Sequence, residues 1–133
     1  MRKSQVAVFI QWIILNKYQQ LAHYDPLTQL SNRRHALDIL KREQARVIRN
    51  QEPLSIILCD VDHFKKINDK FGHNAGDAIL VELAALFTES IRDQDCVARW
   101  GGEEFLFILP QTPPINAHVF AEKIKERVQN HIF

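Results

Sequence analysis

Two acidic clusters about forty residues apart, Asp60-Val61-Asp62 and Arg99-Trp100-Gly101-Gly102-Glu103-Glu104-Phe105, carry the chemistry this sequence offers. In the second, two glycines precede adjacent glutamates and an alternating apolar stretch, Phe105 to Leu109, a pattern that predicts a hairpin turn feeding a strand. A Gly-Gly pair tolerates the positive φ angles of a tight turn and lets a bulky ligand approach bare backbone. Side-by-side glutamates repel each other, so the pair asks for a cation or a developing charge to meet. A solvated acidic turn is the plain alternative for Gly-Gly-Glu-Glu taken alone.

The upstream cluster weighs against that alternative. Leu54 to Cys59 is a continuous apolar run and predicts a strand buried on both faces of a sheet. It ends at Asp60, and Asp62 either shares a face with Asp60 on a continuing strand or caps the helix that follows. Phe64, Ile67 and Phe71 recur at helical spacing, and Gly72 supplies the stop. Carboxylate oxygens suit Mg²⁺ and a helix N-terminus suits phosphate, so the two clusters together describe a site for a metal-bound nucleoside triphosphate.

At these residues the chain resembles the GGDEF-domain diguanylate cyclase family, with Gly101-Gly102-Glu103-Glu104-Phe105 as the Glu-containing form of the family signature. Three further blocks carry the resemblance: Asp25 to Arg34, Asp60 to Asp69, and Phe71 to Asp77. The first block departs from the family at Gln29, where glycine is usual. The resemblance covers the chain from about Asp25 to its end.

The resemblance implies a role for each matching residue. Asp60, Glu103 and the Val61 carbonyl would hold Mg²⁺ or Mn²⁺, with Glu104 close enough to assist and Glu103 helping to deprotonate an attacking 3′-hydroxyl. Asn68 and Asp77 would read guanine, because an amide both donates and accepts while a carboxylate accepts the N–H groups that adenine lacks. Lys65 and the amides of His63 and Phe64 would meet the phosphates. Arg92 and Asp95, an Arg-x-x-Asp with five residues between it and Gly101, would form an inhibitory site for the product, cyclic di-GMP. The implied reaction condenses two GTP molecules held by two copies of the domain, so a homodimer is expected for activity. A non-catalytic receptor for GTP or cyclic di-GMP is the alternative, and a dimerisation fragment worked by the N-terminal helix is a third reading.

The elements that must position these residues are readable in outline. Residues 1–24 read as a signalling or dimerisation helix, with Val6, Ile10, Ile13, Ile14, Lys17 and Leu21 near one stripe, and residues 25–133 as the GGDEF domain. The apolar stretch Val6 to Leu15 is too short to span a bilayer, so a cytoplasmic location is expected, either free or as part of a membrane-anchored sensor. Helices are predicted over Arg33 to Asn50, Ala75 to Ile91 and Ile115 to His131, the second with Ile79, Leu83, Leu86 and Phe87 inward. Asp95 to Trp100 and Glu103 to Leu109 complete the hairpin. Helices around a largely antiparallel sheet make an α+β fold, which the resemblance sharpens to the palm-like fold of nucleotidyl cyclases.

Composition is that of one ordinary globular domain, with 46% hydrophobic and 25% charged residues. A net charge of +1 leaves no basic footprint for nucleic acid. Cys59 and Cys96 lack metal-like spacing and read as reduced core thiols. The resemblance implies further strands and a helix beyond Phe133, including basic residues for the phosphates. The fold is therefore expected to be incomplete at its C-terminus, and residues 1–133 alone are expected to turn over GTP weakly or not at all.

Overall fold

A computed structural model describes residues 3–133, apart from the side chains of residues 3, 4 and 19–21, so the predicted place of Leu21 on the helical stripe lies outside the described residues. The chain order is α1 (Lys3–His23), α2 (Arg33–Asn50), β1 (Leu54–Asp60), α3 (Phe64–Phe71), α4 (His73–Ser90), β2 (Cys96–Arg99), β3 (Glu104–Pro110) and α5 (Pro114–Asn130). The strands form one antiparallel sheet in the order β1-β3-β2. The α+β architecture is as the sequence predicts.

The core is built around β3. Phe105, Phe107 and Leu109 point to one face, where Leu80, Leu83 and Phe87 of α4 and Ala117 and Ile124 of α5 meet them. Leu106 and Ile108 point to the other, against Ala36 of α2 and Ala98 of β2. Phe87 stands edge-on to both Phe105 and Phe107, each at 5.1 Å, and Phe120 stands edge-on to Phe107 at 5.4 Å. Such aromatic contacts add about 0.5–1.5 kcal/mol each beyond the area they bury. They fix the strand that leads out of the acidic turn.

The strand buried on both faces is thus β3, and the expectation for β1 is corrected. β1 lies at the sheet edge, with Ile57 and Cys59 packed on the α4/α5 core while Ile56 and Leu58 are 51% and 57% exposed. An apolar run has the same composition in either place. What separates the two is that helix α2 covers Leu54 but leaves the rest of that face of β1 open.

Local sequence sets the helix ends. Asn32 caps α2 by accepting the His35 amide at 2.8 Å, and Gln51 closes it in a left-handed conformation. Gly72, at φ 91°, ends α3 and opens α4 in a single residue, a conformation that glycine adopts without a Cβ penalty. Val8, Phe9, Trp12, Leu15 and Tyr18 are all exposed on α1, so its apolar residues are not confined to the predicted stripe. No helix among the described residues is long and apolar enough to cross a membrane.

Candidate active site

The antiparallel register brings the two acidic clusters together. Asp60, the last residue of β1, lies directly opposite Glu104, the first residue of β3. Directly paired residues share a face with Cβ atoms about 4.5–5.5 Å apart, and like charges placed so are destabilising. Glu103 stands at the turn just before β3. Its carbonyl accepts the Val61 amide at 3.1 Å, which ties the residue after Asp60 to the hairpin. The Glu103 carboxyl is pushed above its ordinary range, first by desolvation, then by the Asp60 charge, a hydrogen bond to Asp60 and the Glu104 charge.

The turn differs from expectation in one respect. Gly72 has a positive φ, but Gly101 and Gly102 do not. Gly101 makes room instead: a Cβ there would lie within 3 Å of Glu104 Oε1, the mobile end of a carboxylate that folds back over the turn. The Trp100 and Gly101 amides donate to the Glu104 carbonyl at 2.8 and 3.3 Å and close the hairpin. A Cβ on Gly102 would meet open space, so its side of the turn is free for a ligand.

Asp62 adopts neither predicted role. The strand stops at Asp60, Asp62 is exposed in a turn, and His63 occupies the N-cap of α3 at φ 59° without a capping side chain. Lys65 and His63 are exposed at the start of α3, while Phe64 is half-buried and packs on the core.

Asn68 is half-buried on α3, and its Oδ1 is buried with no hydrogen-bond partner. That oxygen fills the space a Cβ on Gly76 would occupy, 1.9 Å from where the atom would sit. Gly76 therefore lets α4 approach α3 closely enough to wedge the Asn68 amide between them. Asp77, the next residue, is exposed and does not cap α4, whose N-cap is Gly72.

Arg92 and Asp95 also meet. Arg92 donates through Nη2 to Asp95 Oδ1 at 2.9 Å and through Nε to Oδ2 at 3.1 Å, and its backbone amide donates to Oδ2 at 2.9 Å. Nη2 reaches the Pro110 carbonyl at 3.2 Å and Thr112 Oγ1 at 2.6 Å as well. The Asp95 side chain is 2% exposed and that of Arg92 50%, so the guanidinium forms the open side of the pair.

A divalent cation suits the acidic donors. Among the described residues no group of three or more His, Cys, Asp or Glu side chains converges as a metal cage. Mg²⁺ rarely needs one, since it is ordinarily held by one or two carboxylates together with substrate phosphates. The mutual repulsion of Asp60, Glu103 and Glu104 is the kind of strain a cation relieves.

Sequence reasoning missed two residues of this region. Arg99 donates through Nε and Nη2 to the Gly102 carbonyl at 3.2 and 2.8 Å, and Nη1 reaches the Asp25 carboxylate. These partners are 74 residues apart, and no spacing signal links them.

The sheet, its flanking helices and the acidic turn beside a strand-end aspartate define the palm-like α+β class of nucleotidyl cyclases. Residues 22–132 match the family described as "Diguanylate cyclase, GGDEF domain", and the chain belongs to that family. It is 46% identical over 114 residues to a diguanylate cyclase of Vibrio cholerae, covering 86% of this chain and 36% of that protein. It is 38% identical over 126 residues to the diguanylate cyclase DosC of Escherichia coli, covering 95% of this chain and 27% of that protein. The chain thus spans about a third or less of the length of these curated relatives. Among solved structures, the coiled coil and GGDEF domain of DgcB from Caulobacter crescentus in complex with c-di-GMP superposes with a TM-score of 0.90. The identity there is 28%, with 98% of this chain and 68% of that one covered.

Proposed function

We propose that this domain binds GTP with Mg²⁺ or Mn²⁺ and, as a pair of copies, condenses two GTP molecules into cyclic di-GMP. The observation that carries the reading is the meeting of Asp60, Glu103 and Glu104 at one end of the β1–β3 pair. Asp60, Glu103 and the Val61 carbonyl would hold the cation. When bound, the ion offsets phosphate charge and helps to orient the α-phosphate. The open side of Gly102 leaves room for the triphosphate, and Lys65 with the amides of His63 and Phe64 adds positive contacts.

Asn68 and Asp77 read the base. A buried acceptor without a donor is unfavourable by about 1–3 kcal/mol, and a small shift of the side chain that lets Asn68 Oδ1 meet a guanine N–H would recover part of that. In the reaction, the 3′-oxygen of each GTP bonds to the α-phosphorus of the other, and two pyrophosphates leave. The hydroxyl proton passes toward the Glu103–Glu104 pair. Each domain holds one nucleotide, so alignment of two domains supplies much of the rate. The apolar surface of α1 is suited to pairing with the same helix of a second copy. Arg92 and Asp95 would bind the product, with the exposed side of the guanidinium donating to a guanine or phosphate acceptor.

Calorimetric titration of the chain with GTP and ATP, with Mg²⁺ and with EDTA, tests the site, and chromatography of products formed from GTP tests turnover. Mg²⁺-dependent binding of GTP in preference to ATP is expected. Equal binding of both nucleotides, or GTP binding indifferent to EDTA, refutes the reading.

A further inference from the structure

The connection between α1 and α2 is laced to the stem of the acidic hairpin. Asp25 accepts hydrogen bonds from the Thr28 amide at 2.9 Å and the Thr28 hydroxyl at 2.8 Å. Its backbone amide donates to the Leu30 carbonyl at 2.7 Å, and its carbonyl accepts the Gln29 amide at 2.9 Å, so the segment closes tightly around one residue. The Asp25 carboxylate also takes Arg99 Nη1, at 3.2 and 3.3 Å to its two oxygens. Arg99 then holds the Gly102 carbonyl with its two remaining donor nitrogens. Glu103 is the next residue in the chain.

Two further contacts run parallel to this link. The Arg99 amide donates to the Ser31 carbonyl at 2.9 Å, and Ser31 forms a parallel bridge with Ala98. The Arg33 guanidinium lies 4.4 Å over the Trp100 ring. At the other end, His23 closes α1 by packing its ring on His35 of α2 at 4.7 Å, and its carbonyl accepts the Asn32 amide at 2.9 Å. A continuous set of fixed contacts therefore runs from the last turn of α1 through Asp25 and Arg99 to the carbonyl before Glu103.

We propose that Arg99 is a positioning residue for the acidic hairpin, and that the Asp25–Arg99–Gly102 link couples the orientation of α1 to the placement of Glu103. The consequence for catalysis rests on the proposed function, whereas the coupling itself rests on the contacts alone. Arginine suits the task because its planar fork serves a carboxylate and a carbonyl at once. Lysine, with one compact ammonium group, cannot span both. The side chains of Asp25 and Arg99 are only 16% and 20% exposed, so solvent screens the pair little.

Amide hydrogen exchange on the full chain tests this without any nucleotide. In Arg99→Lys, exchange at Trp100 and Gly101 is expected to rise about tenfold, the effect of losing one charge-assisted hydrogen bond, while Ile108 in the centre of β3 is unchanged. Asp25→Asn keeps an acceptor for Thr28 and is expected to shift the same two amides by a smaller factor, with no further increase when added to Arg99→Lys. Unchanged hairpin amides in both variants overturn the proposal. So does acceleration spread evenly over β2 and β3, or unfolding of both variants, because the pair would then be a general brace. If exchange behaves as expected but no GTP binds, the coupling stands and the functional reading fails.

Discussion

Replacing Gly76 by alanine separates base recognition from stability. An added Cβ would sit 1.9 Å from Asn68 Oδ1, 2.9 Å from Asn68 Cγ and 3.1 Å from Phe64 Cζ. The first two contacts are with the end of a side chain that can rotate away, at a cost of about 0.5–1.5 kcal/mol if it leaves its preferred rotamer. The third asks Phe64 to yield a few tenths of an ångström. Against these costs, alanine in a helix interior is better than glycine by about 1 kcal/mol. The terms nearly cancel, so the thermal midpoint should move by only a few degrees. Binding should not escape so lightly, because Asn68 can no longer present its amide to guanine. Loss of that contact, about 1–3 kcal/mol, weakens GTP affinity about fivefold to 150-fold. Calorimetry with Mg²⁺ and GTP measures it, and Asn68→Ala provides the comparison. The two substitutions should be strongly non-additive, since both remove one interaction. A folded Gly76→Ala protein that binds GTP within about twofold of the parent refutes the assignment of Asn68 to the base.

Four other outcomes are expected. Gln29 sits at φ 64°, so Gln29→Gly relieves about 1–2 kcal/mol of left-handed strain, offset by about 0.5–1 kcal/mol of glycine entropy; a thermal midpoint equal to or a few degrees above the parent's checks it. Burial alone would raise the Asp25 carboxyl, but hydrogen bonds from Thr28 and the charge and hydrogen bond of Arg99 together hold it below its ordinary range. Its stabilising contribution is complete above the unfolded value of about 4 and fades as pH falls through the lower folded value, so acid titration of Asp25→Asn should show a shallower loss of stability across that window. Arg92→Ala and Asp95→Ala should each abolish binding of cyclic di-GMP while GTP affinity stays within about twofold, as read by calorimetry; of the two, Arg92→Ala should unfold more readily, because it leaves the buried Asp95 carboxylate without its charged partner. Asp60→Asn should raise the thermal midpoint in EDTA by removing like-charge repulsion opposite Glu104, and should remove any stabilisation by added Mg²⁺.

The order of elements was readable from periodicity and turn residues, with boundaries shifted by only a residue or two. Gly72 and Asn32 act at the ends of helices whose extent was already visible in the apolar pattern. Other features depend on the chain's path through space. Whether Leu54 to Asp60 is central or at an edge is decided by which side chains α2 covers, and an apolar run does not encode that. Gly101 looks the same in sequence whether it serves a positive φ or makes room for the Glu104 carboxylate. Gln29 gave a partial signal as the residue standing where the family has glycine, and its left-handed backbone supplies the reason. The orphaned acceptor on Asn68 arises only from the close approach of α4 at Gly76.

The acidic site is best understood through what surrounds it. Asp60 opposite Glu104, with Glu103 beside them, is an arrangement that opposes folding on its own account. The chain tolerates it because the hairpin is restrained from several directions. Phe87 grips Phe105 and Phe107 behind the turn, the Val61 amide binds the Glu103 carbonyl at its side, and Arg99 grips Gly102 in front. A turn serving stability alone needs no such bracing, since one glutamate exchanged for a neutral residue would remove the repulsion. Under the proposed function, the restraints hold the carboxylates close before their counter-ion arrives, so that a bound cation and triphosphate would meet donors already in place. Because the front restraint is rooted in the segment that leaves α1, these carboxylates are also the ones whose spacing a movement of that helix would alter under the proposed coupling.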